Sequence, residues 1–266
     1  MKIGIIGGNG FVGSGIRRTL ERASHECTVI SRANYESLIG QSFDVLINAN
    51  GNSKKYLAAS SPKEEFQASV TTVQHSLLDF KYNLFIHCSS VDVYANHEDV
   101  TQNTEETCID VSRLSLYGVH KYLAELIVQK YAPQWLILRF GGFVGDGLKK
   151  NSIYDMLHNV PLRVHIDSKY QYFPTESAGE TILSLLSKNA RNEIYNVCGD
   201  GVISLREINT LIPEYTFSYV GNEPSPERYE VNINKINAIV PIPRTQDSVT
   251  AFVREFQQKP TQSEMD

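Results

Sequence analysis

MKIGIIGGNGFVGS, residues 1–14, decides the fold. Ile3, Ile5 and Ile6 make an apolar run with the length of a buried strand. Gly7, Gly10 and Gly13 follow at once, with Gly8 as an extra glycine, and Ser14 to Arg22 reads as a helix. A glycine turn between a strand and a helix is the setting in which such glycines serve a dinucleotide. Gly7 allows the tight turn, Gly10 lets backbone approach a pyrophosphate, and Gly13 lets the helix pack close to the strand. The helix start then offers free N–H groups and a partial positive charge to phosphate. Asn9, Phe11 and Val12 stand between these glycines and join Gly7, Gly10 and Gly13 as candidate cofactor contacts.

Working outward, Cys27 to Ile30 reads as a second strand that ends at Ser31 and Arg32. In this arrangement an acid at the strand end binds the ribose 2′-hydroxyl of NAD, and an Arg accommodates the 2′-phosphate of NADP. No acid stands here, and Arg32 offers a charged fork to a phosphate. NADP is therefore the expected cofactor and NAD the alternative, with Ser31 and Arg32 as contacts. Phe43 to Asn48 is a third strand running into Asn50 and Gly51. Ligands of open α/β sheets sit at strand carboxyl ends, so Asn48, Ala49 and Asn50 are further cofactor candidates. Lys63 to Phe80 follows Pro62 as a helix, with Phe66, Val70, Val73, Leu77 and Phe80 as its core stripe. Leu84 to Cys88 is the next strand, ending at Ser89 and Ser90. Short strands alternating with helices predict a parallel sheet covered on both faces.

Ser115 to Tyr131 reads as a helix that stops before Pro133, and Trp135 to Phe140 as a strand leading to Gly141 and Gly142. Beyond it the alternation loosens. The pattern predicts a helix over 152–157, a strand over 162–166, a helix over 175–186 and a strand over 193–197. Ser204 with Glu207 fits a capping box for a helix running through Leu211. A last helix is expected over 248–256, followed by a frayed QQKPTQSEMD tail.

The chain has 266 residues, 41% hydrophobic and 21% charged, which suits one or two globular domains. A net charge of −5 gives no reason to expect nucleic acid or an anionic membrane as partner. No run is apolar enough to span a bilayer, and the N-terminus does not read as a secretory signal. Cys27, Cys88, Cys108 and Cys198 are scattered, so neither a disulfide framework nor a metal site is expected. A cytoplasmic, reduced protein is the expectation.

Tyr117 and Lys121 are four apart on one helix and share a face. Ser90 ends a strand. A phenol titrates near 10, and a neighbouring ammonium is expected to lower that value. Tyr117 would exchange a proton with a substrate oxygen while hydride moves at the adjacent carbon, and Ser90 would hold the same oxygen.

The chain resembles the extended short-chain dehydrogenase/reductase superfamily, in its nucleotide-sugar epimerase, dehydratase and reductase group. The resemblance covers nearly the whole sequence. GGNGFVG looks like the family's cofactor loop, CSSVDVY (88–94) like its Ser-Ser-x-x-Val-Tyr segment, and YGVHK (117–121) like its Tyr-x-x-x-Lys. RFGGFVGDG (139–147) is similar to the segment after the sixth strand that contacts nicotinamide, which makes Phe140 and Gly141 cofactor candidates. NEIYNVCGDGVISLREI (192–208) is similar to the family's late strand–loop–helix.

The resemblance implies a doubly wound parallel-sheet Rossmann domain over 1–140. A smaller mixed α/β substrate region over 141–266 would be interleaved with its last elements. It implies a catalytic set of Ser90, Tyr117 and Lys121, with Lys121 also binding the cofactor ribose. The activity implied is NADPH reduction of a keto group on a sugar or nucleotide sugar. The alternatives are an epimerase with tightly held NAD and a non-catalytic NADP-binding sensor. Helices flanking Tyr117 form a dimer face in the family, which implies a homodimer.

Some positions depart from the family. Gly142 stands where an Asn touches substrate, Tyr170 where an Arg grips a diphosphate, and Ser177 where an Asp follows. Lys149, Lys150, Arg163 or Lys169 would have to bind the diphosphate instead. Asp92 corresponds to an acid that helps the dehydratases remove water, and it is a candidate substrate contact. His87, His97 and His120 are read as structural, and 103–106 as solvated loop.

Overall fold

The computed structural model describes residues 1–51 and 55–258. Its strands in the first half are β1 (Lys2–Ile6), β2 (Glu26–Ile30), β3 (Ser42–Asn48), β4 (Lys81–Ser90) and β5 (Trp135–Phe140). The second half adds β6 (Gly142–Val144), β7 (Lys169–Tyr170), β8 (Tyr172–Pro174), β9 (Glu193–Val197), β10 (Ile203–Ser204) and β11 (Arg228–Tyr229). The short helices include α2 (Tyr35–Leu38), α3 (Leu57–Ser60), α4 (Pro62–Phe66) and α10 (Asn234–Asn237). Six strands form one sheet in the order β2-β1-β3-β4-β5-β9, and every neighbouring pair is parallel. This is the doubly wound α/β architecture.

The central strands are buried on both faces, so adjacent residues are apolar instead of alternating. Ile5 on one face packs with Ile16 and Leu20 of α1 (Phe11–Arg22) and with Ile182 and Leu185 of α8 (Thr175–Ser187). Leu46 and Phe85 on the other face pack with Val73 and Leu77 of α5 (Thr72–Asp79) and with Ala124 and Val128 of α6 (Leu116–Tyr131). A separate core joins Ile153 and Met156 of α7 (Ser152–Leu157), Leu205 and Ile208 of α9 (Leu205–Asn209), and Val249 and Val253 of α11 (Thr245–Gln258). Two small sheets, β10-β7-β11 and β6-β8, connect this core to the carboxyl end of the large sheet.

Several expectations need correction. The helix expected over 63–80 runs unbroken from Pro62 to Asp79, but it is not α-helical throughout: a π-turn at Gln67–Thr71 lies between Pro62–Phe66 and α5. A π-turn adds one residue to the helical register. The stripe of Val70, Val73 and Leu77 stays buried, and Phe66 rotates off it to 41% exposure. The 162–166 segment is not a strand. Leu162 makes a single bridge to Tyr219, and the backbone turns so that Ser168 N–H donates to His165 O. The Ser204–Glu207 capping box is present, but its helix stops at Asn209. Gln257 and Gln258 belong to α11; the rest of the expected frayed tail lies outside the described residues.

The loop over 103–106 is not simply solvated. Asn103 is buried, its side-chain amide donates to Glu230 O at 3.1 Å, and its backbone carbonyl accepts from Asn196 Nδ2 at 3.0 Å. Glu105 Oε1 accepts the Asn196 N–H at 2.7 Å. Below this loop lies a buried charged network. Arg139 donates to Glu125 Oε2 through Nη2 at 2.7 Å and to the Tyr94 hydroxyl through Nη1 at 2.8 Å. Ser89 Oγ donates to Glu125 Oε1 at 2.6 Å. These bonds tie β4, β5 and α6 together directly behind the end of β4.

Candidate active site

The glycine turn has the shape its sequence requires. Gly7 has φ +76° and receives the Gly10 N–H at 2.8 Å, which closes the turn. A Cβ on Gly13 would lie 2.3 Å from the Gly7 carbonyl oxygen, so only hydrogen fits there. No side chain caps α1, and its first turn holds no acid, so its leading N–H groups are left for an anion. Asn9 and Gly10 are exposed, while Phe11 and Val12 are half-buried. Phe11 meets Phe143 of β6 edge-on at 6.5 Å, which sets the strand after Phe140 and Gly141 beside the turn. These features fit a dinucleotide pyrophosphate at the start of α1.

Arg32 projects, exposed, from the end of β2. Ser31 is held by Asn34, whose Oδ1 accepts the Ser31 N–H at 2.7 Å and the Ser31 hydroxyl at 3.0 Å. Asn48 is fully buried; its Oδ1 accepts the Asn50 N–H at 3.0 Å and its amide donates to Ser76 Oγ at 3.3 Å. Its side chain thus shapes the turn that carries Ala49 and Asn50. Asn50 backbone stands 3.0 Å from where a Gly7 Cβ would be, against the glycine turn.

Ser90 ends β4 opposite Phe140 in the strand register. Its Oγ accepts the Asp92 N–H at 3.2 Å and caps a 3-10 turn over Val91–Val93. Ser115 caps α6 by accepting the Gly118 N–H at 3.1 Å. A Cβ at Gly118 would lie 2.3 Å from Asp92 O, so this glycine lets α6 ride against the Asp92 backbone. That close approach sets Tyr117 beside Ser90. One turn further, Lys121 Nζ lies 5.5 Å from the Tyr117 ring centroid. It also lies 2.8 Å from the position of a Cβ on Gly51, at the end of the β3 loop. Ser90, Tyr117 and Lys121 therefore converge at the carboxyl ends of β3 and β4.

Tyr117 and Lys121 are both buried. Burial pushes the Tyr117 phenol up, Asp92 and Glu65 push it further, and a hydrogen bond with Ser90 works the other way. The lowering expected from Lys121 is thus overturned: a buried phenol beside a carboxylate keeps its proton. Burial lowers the Lys121 ammonium, against the opposing pull of Glu65, Asp92, Cys88 and Glu125.

Asp92 is also buried. Its Oδ1 accepts from Lys55 Nζ at 2.6 Å and from the Tyr229 hydroxyl at 2.8 Å, and its Oδ2 accepts from Ser90 Oγ at 2.7 Å. Burial alone would raise its carboxyl, but the Lys55 ammonium and the three hydrogen bonds outweigh that and hold it below the usual carboxylate range. Gly142 pairs with Tyr172 between β6 and β8. Lys169 is exposed on β7, next to Tyr170, whose ring lies 6.2 Å from that of Tyr229. Arg163 is exposed beside Asp155 of α7.

Sequence reasoning missed Lys55, Tyr229, Glu65 and Gly118. Tyr229 reaches Asp92 across 137 positions, and nothing in its local pattern signals that. His97 stacks on Tyr229 at 3.7 Å, and His120 makes a close contact through Nδ1 with buried Glu65. His87 is buried with neither ring nitrogen partnered among the described residues. The four cysteines are free. Among the described residues no group of side chains could hold a metal, and no helix is long and apolar enough to cross a membrane.

Residues 3–167 match the model of the NAD dependent epimerase/dehydratase family, and the chain belongs to that family. No protein with a curated description matches it by sequence. Among solved structures it is similar to MoeE5 in complex with UDP-glucuronic acid and NAD, with 13% identity and TM-score 0.80 over 97% of this chain and 99% of that one. It is similar to a UDP-glucuronic acid 4-epimerase from Bacillus cereus, with 17% identity and TM-score 0.77 over 97% and 99% of the two chains. A dTDP-glucose 4,6-dehydratase from Bacillus anthracis in complex with NAD matches with 18% identity and TM-score 0.76 over 97% of each chain. At such identities the likeness is one of fold.

Proposed function

We propose that this protein is an NAD(P)-dependent oxidoreductase that reduces a keto group of a sugar or nucleotide sugar with NADPH. The observation that carries the reading is the convergence of Ser90, Tyr117 and Lys121 beside the glycine turn. Residues 1–140 would carry the cofactor and 141–266 the substrate. The cofactor supplies the hydride that reduces the carbonyl carbon. Tyr117, which keeps its proton, donates it to the carbonyl oxygen as that oxygen becomes a hydroxyl. Lys121 holds the ribose and supplies a positive charge next to the phenolate that remains. Exposed Arg32 supports NADPH, because among the described residues nothing pairs with the guanidinium that would meet a 2′-phosphate. Exposed Leu123 and Leu126 on α6 support a homodimer through that face.

A second reading, an epimerase with tightly held NAD, draws support from the UDP-sugars and NAD present in two similar structures. Purified chain separates the two. Stoichiometric consumption of NADPH with a 4-keto-sugar nucleotide is expected of the reductase. Bound NAD that survives dialysis, with interconversion of UDP-sugars and no net NADPH consumption, would favour the epimerase. Retained pathway function in a folded Tyr117→Phe chain would overturn both in favour of a non-catalytic sensor.

A further inference from the structure

The Asp92 carboxylate takes a hydrogen bond from Ser90, and this fixes which way the serine hydroxyl points. A buried carboxylate is costly unless its oxygens are bonded. Here Lys55 and Tyr229 occupy Oδ1, and the Ser90 proton occupies Oδ2. The Ser90 oxygen is left with its lone pairs, one of which takes the Asp92 N–H.

The two outer donors are themselves braced. Tyr229 stacks on His97 at 3.7 Å with the rings 16° from parallel, and Lys55 Nζ stands 4.8 Å from the Tyr229 centroid. His97 is anchored through Nε2 to Val91 O at 2.9 Å, inside the turn that Ser90 caps. The Glu230 N–H donates to His97 O at 3.1 Å, and Tyr229 pairs with Tyr170 across β11 and β7. The substrate-side sheet is thus joined to the Ser90 turn through Tyr229.

We propose that Lys55 and Tyr229 are positioning residues: they fix the Asp92 carboxylate so that it takes the Ser90 proton and holds the Ser90 hydroxyl in one orientation beside Tyr117. With its own proton committed to Asp92, Ser90 does not polarise the carbonyl directly, and Tyr117 keeps its one proton for the carbonyl oxygen. Asp92, with both oxygens engaged, is not free to take a proton from substrate. This assignment rests on the oxidoreductase reading for its role in turnover, but its geometry stands apart from it. The charged and titratable groups facing Asp92 are Lys55, His97, Tyr117, Lys121 and Tyr229, with Glu227 behind Tyr229.

The test is the titration of the Asp92 carboxyl in the full chain, followed by carbon NMR and assigned with Asp92→Asn. The wild type is expected to titrate below ordinary aspartate. Tyr229→Phe and Lys55→Met should each move the midpoint up by about one pH unit or more. Lys55 is largely exposed and sits on a different segment, so Lys55→Met carries the test if Tyr229→Phe fails to fold. An unchanged midpoint in a folded variant overturns the proposal. With NADPH and a 4-keto-sugar nucleotide, the acid limb of kcat should rise with the midpoint while KM stays within about two-fold. A limb that does not move would also overturn it. A wild type without turnover would instead contradict the oxidoreductase reading, and the carboxyl titration would still decide the role of Lys55 and Tyr229.

Discussion

Gly13 faces Gly7 so closely that a Cβ would lie 2.3 Å from the Gly7 carbonyl oxygen. The start of α1 and the end of β1 cannot separate without opening the turn that presents N–H groups to phosphate. Gly13→Val should therefore abolish the rise in Tm that NADPH or NADH gives the wild type, since ligand binding to the folded state is what produces that rise. A variant that still responds fully to either would mean that the pyrophosphate binds elsewhere.

Tyr117 is the only group in the proposed scheme that delivers the proton. Tyr117→Phe keeps the ring and removes the hydroxyl. The expected loss in kcat is roughly 10²–10⁴-fold, the usual contribution of a placed acid. NADPH binding, measured by fluorescence titration, should be retained. A loss below tenfold would remove Tyr117 from the chemistry.

Arg32 stands exposed at the end of β2, in no ion pair among the described residues. Arg32→Ala should weaken NADPH binding by about tenfold or more and leave NADH binding nearly unchanged, because only NADPH presents a 2′-phosphate to a guanidinium. Calorimetric titration with both cofactors checks this. Equal losses would remove the argument for NADPH.

Much of the sheet was legible because its strands are short apolar runs between glycine and proline boundaries. Trp135–Phe140 and Glu193–Val197 have the expected limits, since each is a short, mostly apolar run that the sheet buries. That Ser90, Tyr117 and Lys121 come near one another was legible from strand-end position and four-residue helical spacing. What escaped was whatever depends on approach between distant segments. The π-turn that exposes Phe66 leaves no mark in the apolar spacing, and Tyr229 and Lys55 reach Asp92 only through tertiary packing. The fall expected in the Tyr117 pKa failed for a similar reason. Burial and Asp92 act on the phenol in three dimensions, and the nearest lysine in sequence does not decide the outcome.

The Arg139–Glu125 pair, buried behind Ser89, predicts a stability effect separate from catalysis. Arg139→Met leaves Glu125 buried without its cation and should cost about 3–5 kcal/mol. Urea unfolding followed by circular dichroism measures it. The double variant Arg139→Met with Glu125→Leu should recover part of that loss, because no unpaired charge remains.

His87 predicts a pH dependence. Burial, aided by the Lys121 charge, lowers its imidazole to about 3. An unfolded histidine takes a proton near 6.5, so the unfolded chain is protonated first as pH falls. The stability tied to neutral His87 is complete above about 6.5 and is lost from there toward the folded value, at most ~1.4 kcal/mol per pH unit. His87→Leu should therefore lose less stability than the wild type between pH 6.5 and 4.5 in urea titrations. Parallel losses in the two proteins would mean that His87 is already charged in the fold.

The most direct measurement is mass spectrometry of the small molecules released from gently purified full-length chain. NADP or NAD is expected on the wild type and on Tyr117→Phe, and absent from Gly13→Val. A folded wild type that carries neither dinucleotide, and binds neither NADPH nor NADH when they are added, would contradict the account.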